Sequence, residues 1–426
     1  MSFQTGLSGL NASSRSLDVI GNNIANANTV GMKSSRAEFA DIVASSLGSG
    51  GVGTAPGIGV SVTTVAQQFT QGNVNITGNS LDVAINGGGF FQVTKTNGST
   101  AYTRDGQFKL DKDGNILTNT GAYVMGYPTD ATGAASSVTP GKITLPTGAP
   151  IAANATTLIT AEFNLDARAK DSAQAVLAGE TPTPRSKYGT SITVYDSQGV
   201  ASTASLYFEK TLATPNSWDV YAGLDTVTPP VTYTNIGPIT FDAVTGKIAG
   251  PLVGTKVELT IPTLTIVSNN PNEPSGYILD PITVNLDGAT QFGTAFSISN
   301  LSQDGYTAGE FTGLNIDGKG VISTTYSNGQ TLKTGGMLAL ADFRNLQGLA
   351  PLGGGEYSET FKSGPPVMGQ PGVGKFGETR AGAVEESNVD LTAELVNMMT
   401  AQRSYQANAQ TIKTQDQIMS TLVNLR

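Results

Sequence analysis

The sequence contains neither cysteine nor histidine. Without cysteine there is no disulfide, no thiolate metal site and no sulfur nucleophile. Without histidine the commonest general base is missing too. Charge is also scarce: Asp, Glu, Lys and Arg together make 13% of the residues. Their balance of −9 comes with no Lys/Arg cluster, which argues against nucleic acid as a partner. No apolar run is long enough to cross a bilayer, so membrane insertion is not expected. The first 30 residues hold a single Arg and no continuous apolar stretch, so no cleavable secretory leader is legible. On these absences alone the chain reads as cytosolic. A cysteine-free chain suits varied redox conditions but names no compartment. Ser–Lys or paired-carboxylate chemistry stays formally open, yet no such constellation stands out. Catalytic residues, cofactors and metal ligands are therefore all expected to be absent.

What the chain does have is glycine, 52 of 426 residues, and a pattern at each end. Phe3, Leu7, Leu10, Ser14, Leu17, Gly21 and Ile24 keep an unbroken 4-3-4-3 spacing. Leu391, Leu395, Met398, Gln402, Tyr405, Ala409, Ile412, Asp416, Met419 and Val423 do the same. Residues three and four apart share a helix face, and a repeat of 3.5 keeps that seam turned to a partner helix. The spacing predicts paired terminal helices over 1–30 and 385–426, with the apolar seam positions as an assembly interface. Two core helices of an ordinary globular domain would show the same spacing.

Between the ends the signals are β. Val60-Ser61-Val62-Thr63 and Leu81 to Asn86 alternate, and Asn86-Gly87, Asn97-Gly98, Asp105-Gly106 and Asp113-Gly114 mark turns. Residues 41–47 are read as a short helix, and 31–70 and 363–384 as linker segments. Gly50, Gly51, Gly53, Gly372 and Gly374 serve as hinge glycines in those linkers. Tyr102-Thr103 with Asp113-Gly114 resembles Tyr306-Thr307 with Asp317-Gly318, so 71–145 and 285–362 are assigned to one discontinuous β domain. Residues 146–284 then form an inserted outer β domain of short strands, a sandwich or barrel. The fold class is thus multidomain, with a coiled-coil-like domain of terminal α-helices and two mainly-β domains.

Several tempting motifs fail on context. Gly48-x-Gly50-x-x-Gly53 and Gly372-x-Gly374-x-x-Gly377 match the dinucleotide pattern, but neither opens a helix after a strand. Asp111-x-Asp113-Gly114-Asn115 resembles the start of a calcium loop, yet Ala122 stands where the bidentate Glu belongs. A turn is the better reading of it.

The segment from Leu17 to Lys33, centred on Asn22-Asn23-Ile24-Ala25-Asn26 and closed by Gly31, resembles the N-terminal signature of the bacterial flagellar rod, hook and hook-associated axial proteins. Asn388-Val389-Asp390 and Gln402-Arg403-Ser404-Tyr405 resemble the closing helix of the same family. Phe69-Thr70-Gln71-Gly72 and Leu81 to Phe91 extend the likeness into the first β domain, and Met1-Ser2-Phe3 with the length favours the hook branch. The resemblance implies a helical homopolymer outside the cell, with terminal helices as its inner layer and β domains outside. It also implies export through the flagellar export apparatus without a cleaved signal. As neighbours it implies a distal rod protein, a hook cap protein and a hook–filament junction protein. A distal rod or junction subunit of the family, or a secreted β-rich adhesin, are the competing readings.

Overall fold

The computed structural model describes residues 2–43, 57–146, 148, 150–170, 188–211, 216–224, 233–253, 256–266 and 277–424. Two helices stand at the ends of a mostly β chain: α1 (Ser2–Ala25) and α2 (Leu391–Asn424). The chain divides into two compact units. One holds 1–148, 312–325 and 331–426, and the other 149–311 with 326–330.

In the first unit α1 and α2 run antiparallel, with Gly6 beside Ile412 and Asn23 beside Glu394. Asp390 starts α2 as its cap. Its Oδ1 accepts from the N–H groups of Thr392 at 2.8 Å and Ala393 at 3.2 Å, satisfying donors that the helix cannot. After α1 the chain forms a two-stranded antiparallel ribbon, β1 (Ser35–Val43) and β2 (Gly57–Gln67). Register shifts after Glu38 and after Ile42 bulge it twice. This corrects two expectations. Asp41 to Val43 are strand and not the start of a helix, and 31–70 is no free linker, because a half-exposed apolar alternation on both strands pairs it.

The β body of this unit is built around Phe90–Thr94, which pairs with Thr100–Thr103, Tyr123–Tyr127 and Leu340–Asp342. Phe91, Val93, Ile116, Val124, Leu338 and Leu340 are fully buried beneath it. Gly98 and Gly114 take positive φ in the Asn-Gly and Asp-Gly turns, and the Asp111 segment is a turn closed by its own backbone. The expected second linker is also tied down. Val367–Gly369 pairs with Leu340–Asp342, Glu378–Ala381 with Val83–Asn86, and Ala383–Glu385 with Val74–Ile76. Gly372 and Gly374 lie in turns held by Gly372 N–H to Gly377 O and Gly377 N–H to Gly88 O. The segment that carries them is thus tied to the β body and is not a free linker. Gly50, Gly51 and Gly53 lie outside the described residues.

The second unit is a sandwich. One sheet orders Gly189–Tyr195, Ala201–Lys210, Ser217–Leu224, Thr234–Phe241 and Ile248–Gly250, all antiparallel. The other centres on Leu158–Asp166, flanked in parallel by Ile282–Asn285 and Thr290–Phe292 and antiparallel by Ser297–Gln303. Trp218, Phe208, Phe163, Leu165 and Val284 share its core. Residues 285–311 thus belong with this unit, and not with 71–145 as the repeat suggests. Tyr306 pairs with Asn154, whereas Tyr102 sits in the sheet of the first unit.

Candidate assembly surface and its anchoring node

On the α1 side the contact with α2 is made by the glycines Gly6 and Gly9, against Ile412 and Asn408 of α2. A Cβ at Gly6 would lie 3.1 Å from Ile412 Cγ1, and one at Gly9 2.9 Å from Asn408 Nδ2. The backbones approach there because glycine puts nothing between them. Ala12, Ile20 and Asn23 are buried on the same side of α1. A groove of about 720 Å³ remains beside this contact, lined by Ser13, Ser16, Asn397, Ser404 and Asn408 among others.

Close approach through glycine leaves the large side chains outward. Of the seam residues, Met398, Ala409 and Ile412 are half-buried on α2, and Leu10, Leu17 and Ile24 on α1. Phe3 is 50% exposed, Leu7 44%, Leu391 44%, Leu395 50% and Met419 57%, with Tyr405 at the margin. The side chain of Val423 lies outside the described residues. The seam therefore does not close within one chain. Sequence spacing also missed Val396 and Met399, which are about half exposed beside Leu395. Their signal was one residue and four residues after Leu395, a second apolar row on the same helix.

The asparagines of the N- and C-terminal motifs fasten the helices to the β1–β2 ribbon. Asn23 is buried; its Nδ2 donates to Ser35 O at 2.8 Å, and its Oδ1 accepts from Ser35 N–H at 2.9 Å. Asn26 Nδ2 donates to Asn22 O at 2.9 Å, closing the end of α1. Asn388 Oδ1 accepts from Ser34 N–H at 2.7 Å, while its Nδ2 reaches Gln68 O at 2.7 Å. Val389 N–H donates to Ser387 Oγ, one step before the Asp390 cap. Gly31 has φ +71°, and a Cβ there would meet Asp105 N at 2.5 Å, so only glycine fits. Ala25, Gln402 and Arg403 are exposed.

Beneath these lies a charge cluster that the sequence did not announce. Glu385 is fully buried, and so is Lys33, at 1% exposure. Lys33 Nζ donates to Glu385 Oε1 at 2.6 Å and to Thr70 O at 2.7 Å. Arg104 Nη1 donates to Glu385 Oε2 at 2.9 Å, and Gly72 N–H to Oε1 at 2.9 Å. Burial holds the Lys33 ammonium below its usual value, against the pull of Glu385. Segments from four places in the sequence, around 33, 70–72, 104 and 385, meet at this node.

Family models match along the chain: Flagella basal body rod protein over 3–33, Flagellar hook protein FlgE/F/G D1 domain over 84–161, Flagellar basal body protein FlaE D2 domain over 164–306, and Flagellar basal body rod FlgEFG protein C-terminal over 380–425. The chain is 40% identical over 430 residues to the flagellar hook protein FlgE of Escherichia coli, covering all of both chains. The chain belongs to the flagellar hook protein FlgE family. It is 39% identical to the FlgE of Salmonella typhimurium, again over the full length of both. The crystal structure of Helicobacter pylori FlgE2 matches 72% of this chain and 99% of its own, at TM-score 0.51 and 15% identity, a likeness of fold. As a FlgE protein the chain is a structural subunit of the flagellar hook and not an enzyme. It polymerises with itself in the hook and basal body.

Proposed function

We propose that copies join through the terminal helices into a curved, flexible tube that carries motor torque from rod to filament. The observation behind this reading is the helix pair itself, which spends glycine on its internal contact and presents leucine, methionine and phenylalanine outward. Such a surface is a contact waiting for neighbours. The helices then form the inner layer and the two β units lie outside it.

On this reading Phe3, Leu7, Leu391 and Leu395 are interchain contacts. The distal rod protein, cap and junction protein meet the ends of the tube, and the subunit leaves the cell unfolded through the export apparatus without a cleaved signal. The Lys33–Glu385–Arg104 node makes the connection from helices to β body stiff. Bending then falls to contacts between copies. The test is Leu395→Asp in cells lacking their own hook protein, scored by electron microscopy. Hooks of ordinary length from that variant would refute the role of the helices; their absence, with the chain still exported, supports it.

A further inference from the structure

We propose that a trough between α1 and β2 receives the outward face of α2 from a second copy, so that one directed contact drives polymer growth. This rests on the proposed tube and adds where the copies touch.

Two hollows of about 470 and 520 Å³ lie along α1 and share Arg15, Asp18 and Val62. Their far wall is β2, whose Val62 is 38% exposed and Val65 48%. At 100° per residue, Asn11, Arg15 and Asp18 lie roughly opposite Gly6, Gly9 and Asn23, the positions against α2. The trough therefore opens on the side of α1 that α2 does not occupy. The matching ridge is on α2. Leu395, Val396 and Met399 lie roughly opposite Glu394, Ala401 and Ile412, which face α1. Each is about half exposed.

Ridge and trough cannot meet inside one molecule, because α2 is already fixed across the other side of α1. Each copy thus carries one concave and one convex apolar patch on different surfaces. A patch pair of that kind makes a heterologous contact, which propagates into an open helical assembly unless it closes into a ring. Charge agrees with the direction. Arg403 follows Met399 by one turn on the same face, and Asp18 rims the trough with only a loose, exposed contact to Arg15 at 4.0 Å.

Because the chain has no cysteine, introduced thiols report contacts without background. Val62→Cys and Met399→Cys, alone and together, are assembled in cells lacking their own hook protein, and isolated tubes are mildly oxidised. The expected result is a ladder of disulfide-linked multimers from the double variant and monomers from each single one, since a disulfide needs Cα atoms within about 7 Å. Tubes of normal form that stay monomeric in the double variant would overturn the docking. So would dimers from Met399→Cys alone, which would set α2 against α2. Val396→Glu, at an exposed position that folding tolerates, should cut the number of tubes at least tenfold; unchanged tube number would also overturn it. Absence of tubes from the unsubstituted chain would instead remove the proposed function, and this contact with it.

Discussion

Glu385→Gln removes one negative charge and almost no volume, so it isolates what the buried carboxylate does. In the folded chain Glu385 faces two cations, Lys33 at 2.6 Å and Arg104 at 2.9 Å. The amide keeps an acceptor for Gly72 N–H but leaves both cations buried without a counterion. Breaking a buried pair in this way costs about 3–5 kcal/mol. Lys33→Met is expected to cost less, about 1–2 kcal/mol. It leaves Glu385 paired with Arg104 and with Gly72 N–H, leaves the Thr70 carbonyl its Asn388 Nδ2 donor at 3.2 Å, and removes a charge that burial already disfavours. Urea unfolding followed by two probes reads this out. Trp218, the single tryptophan, sits in the core of the second unit, whereas far-ultraviolet circular dichroism also senses the first. Glu385→Gln should move the dichroism transition down by about 1–2 M urea and leave the Trp218 fluorescence transition in place. A loss below about 1 kcal/mol, or a larger loss for Lys33→Met than for Glu385→Gln, would refute the account of the node.

Gly31→Ala should destabilise the first unit by more than about 2 kcal/mol, from positive φ and the approach to Asp105 N; thermal unfolding within about 0.5 °C of the parent would contradict this. Asn23→Ala strips both partners from the Ser35 backbone, and amide exchange across the ribbon should speed up at least tenfold, matching about 1.4 kcal/mol or more; unchanged exchange would speak against it. Burial pushes the Tyr357 hydroxyl up to about 12, above its unfolded 10.0. Its contribution is therefore full below pH 10 and lost as pH rises through 12, and Tyr102 is raised in the same sense. Lys33, being lowered, works the other way only below 10.5. Stability should thus fall between pH 10.5 and 12 by about 1.4 kcal/mol per unit for each tyrosine, and a flat profile in a pH series of urea melts would exclude it.

The terminal helices were legible because helical spacing is a local signal, and Asn97-Gly98 and Asp113-Gly114 announced their turns for the same reason. The partner faces were not. Apolar periodicity marks which side chains seek burial, but Gly6 and Gly9 decide which side of α1 comes close to α2. Glycines carry no apolar signal. The ribbon strands 35–43 and 57–67 read as linker in the sequence because bulges interrupt their alternation and both faces stay partly wet. The boundary of the second unit was misplaced because Leu158–Asp166 finds parallel partners at 282–285 and 290–292, more than a hundred residues away. The node was invisible for a related reason. Lys33, Arg104 and Glu385 lie in three separate stretches, and only the folded chain shows them to be one group.

The two bulges of the β1–β2 ribbon bear on how copies move once joined. A flat, open strand edge invites another strand to add by backbone pairing, and bulges coil the ribbon away from that geometry. A backbone ladder would also be a poor bearing surface. Its register changes only in two-residue steps, about 7 Å of travel with every hydrogen bond broken on the way. Packed side chains yield by about 1–2 Å while staying in contact. In the proposed assembly, a ribbon whose edges are unsuited to pairing leaves the copies to meet through side chains, where small displacements can be made and reversed at every turn.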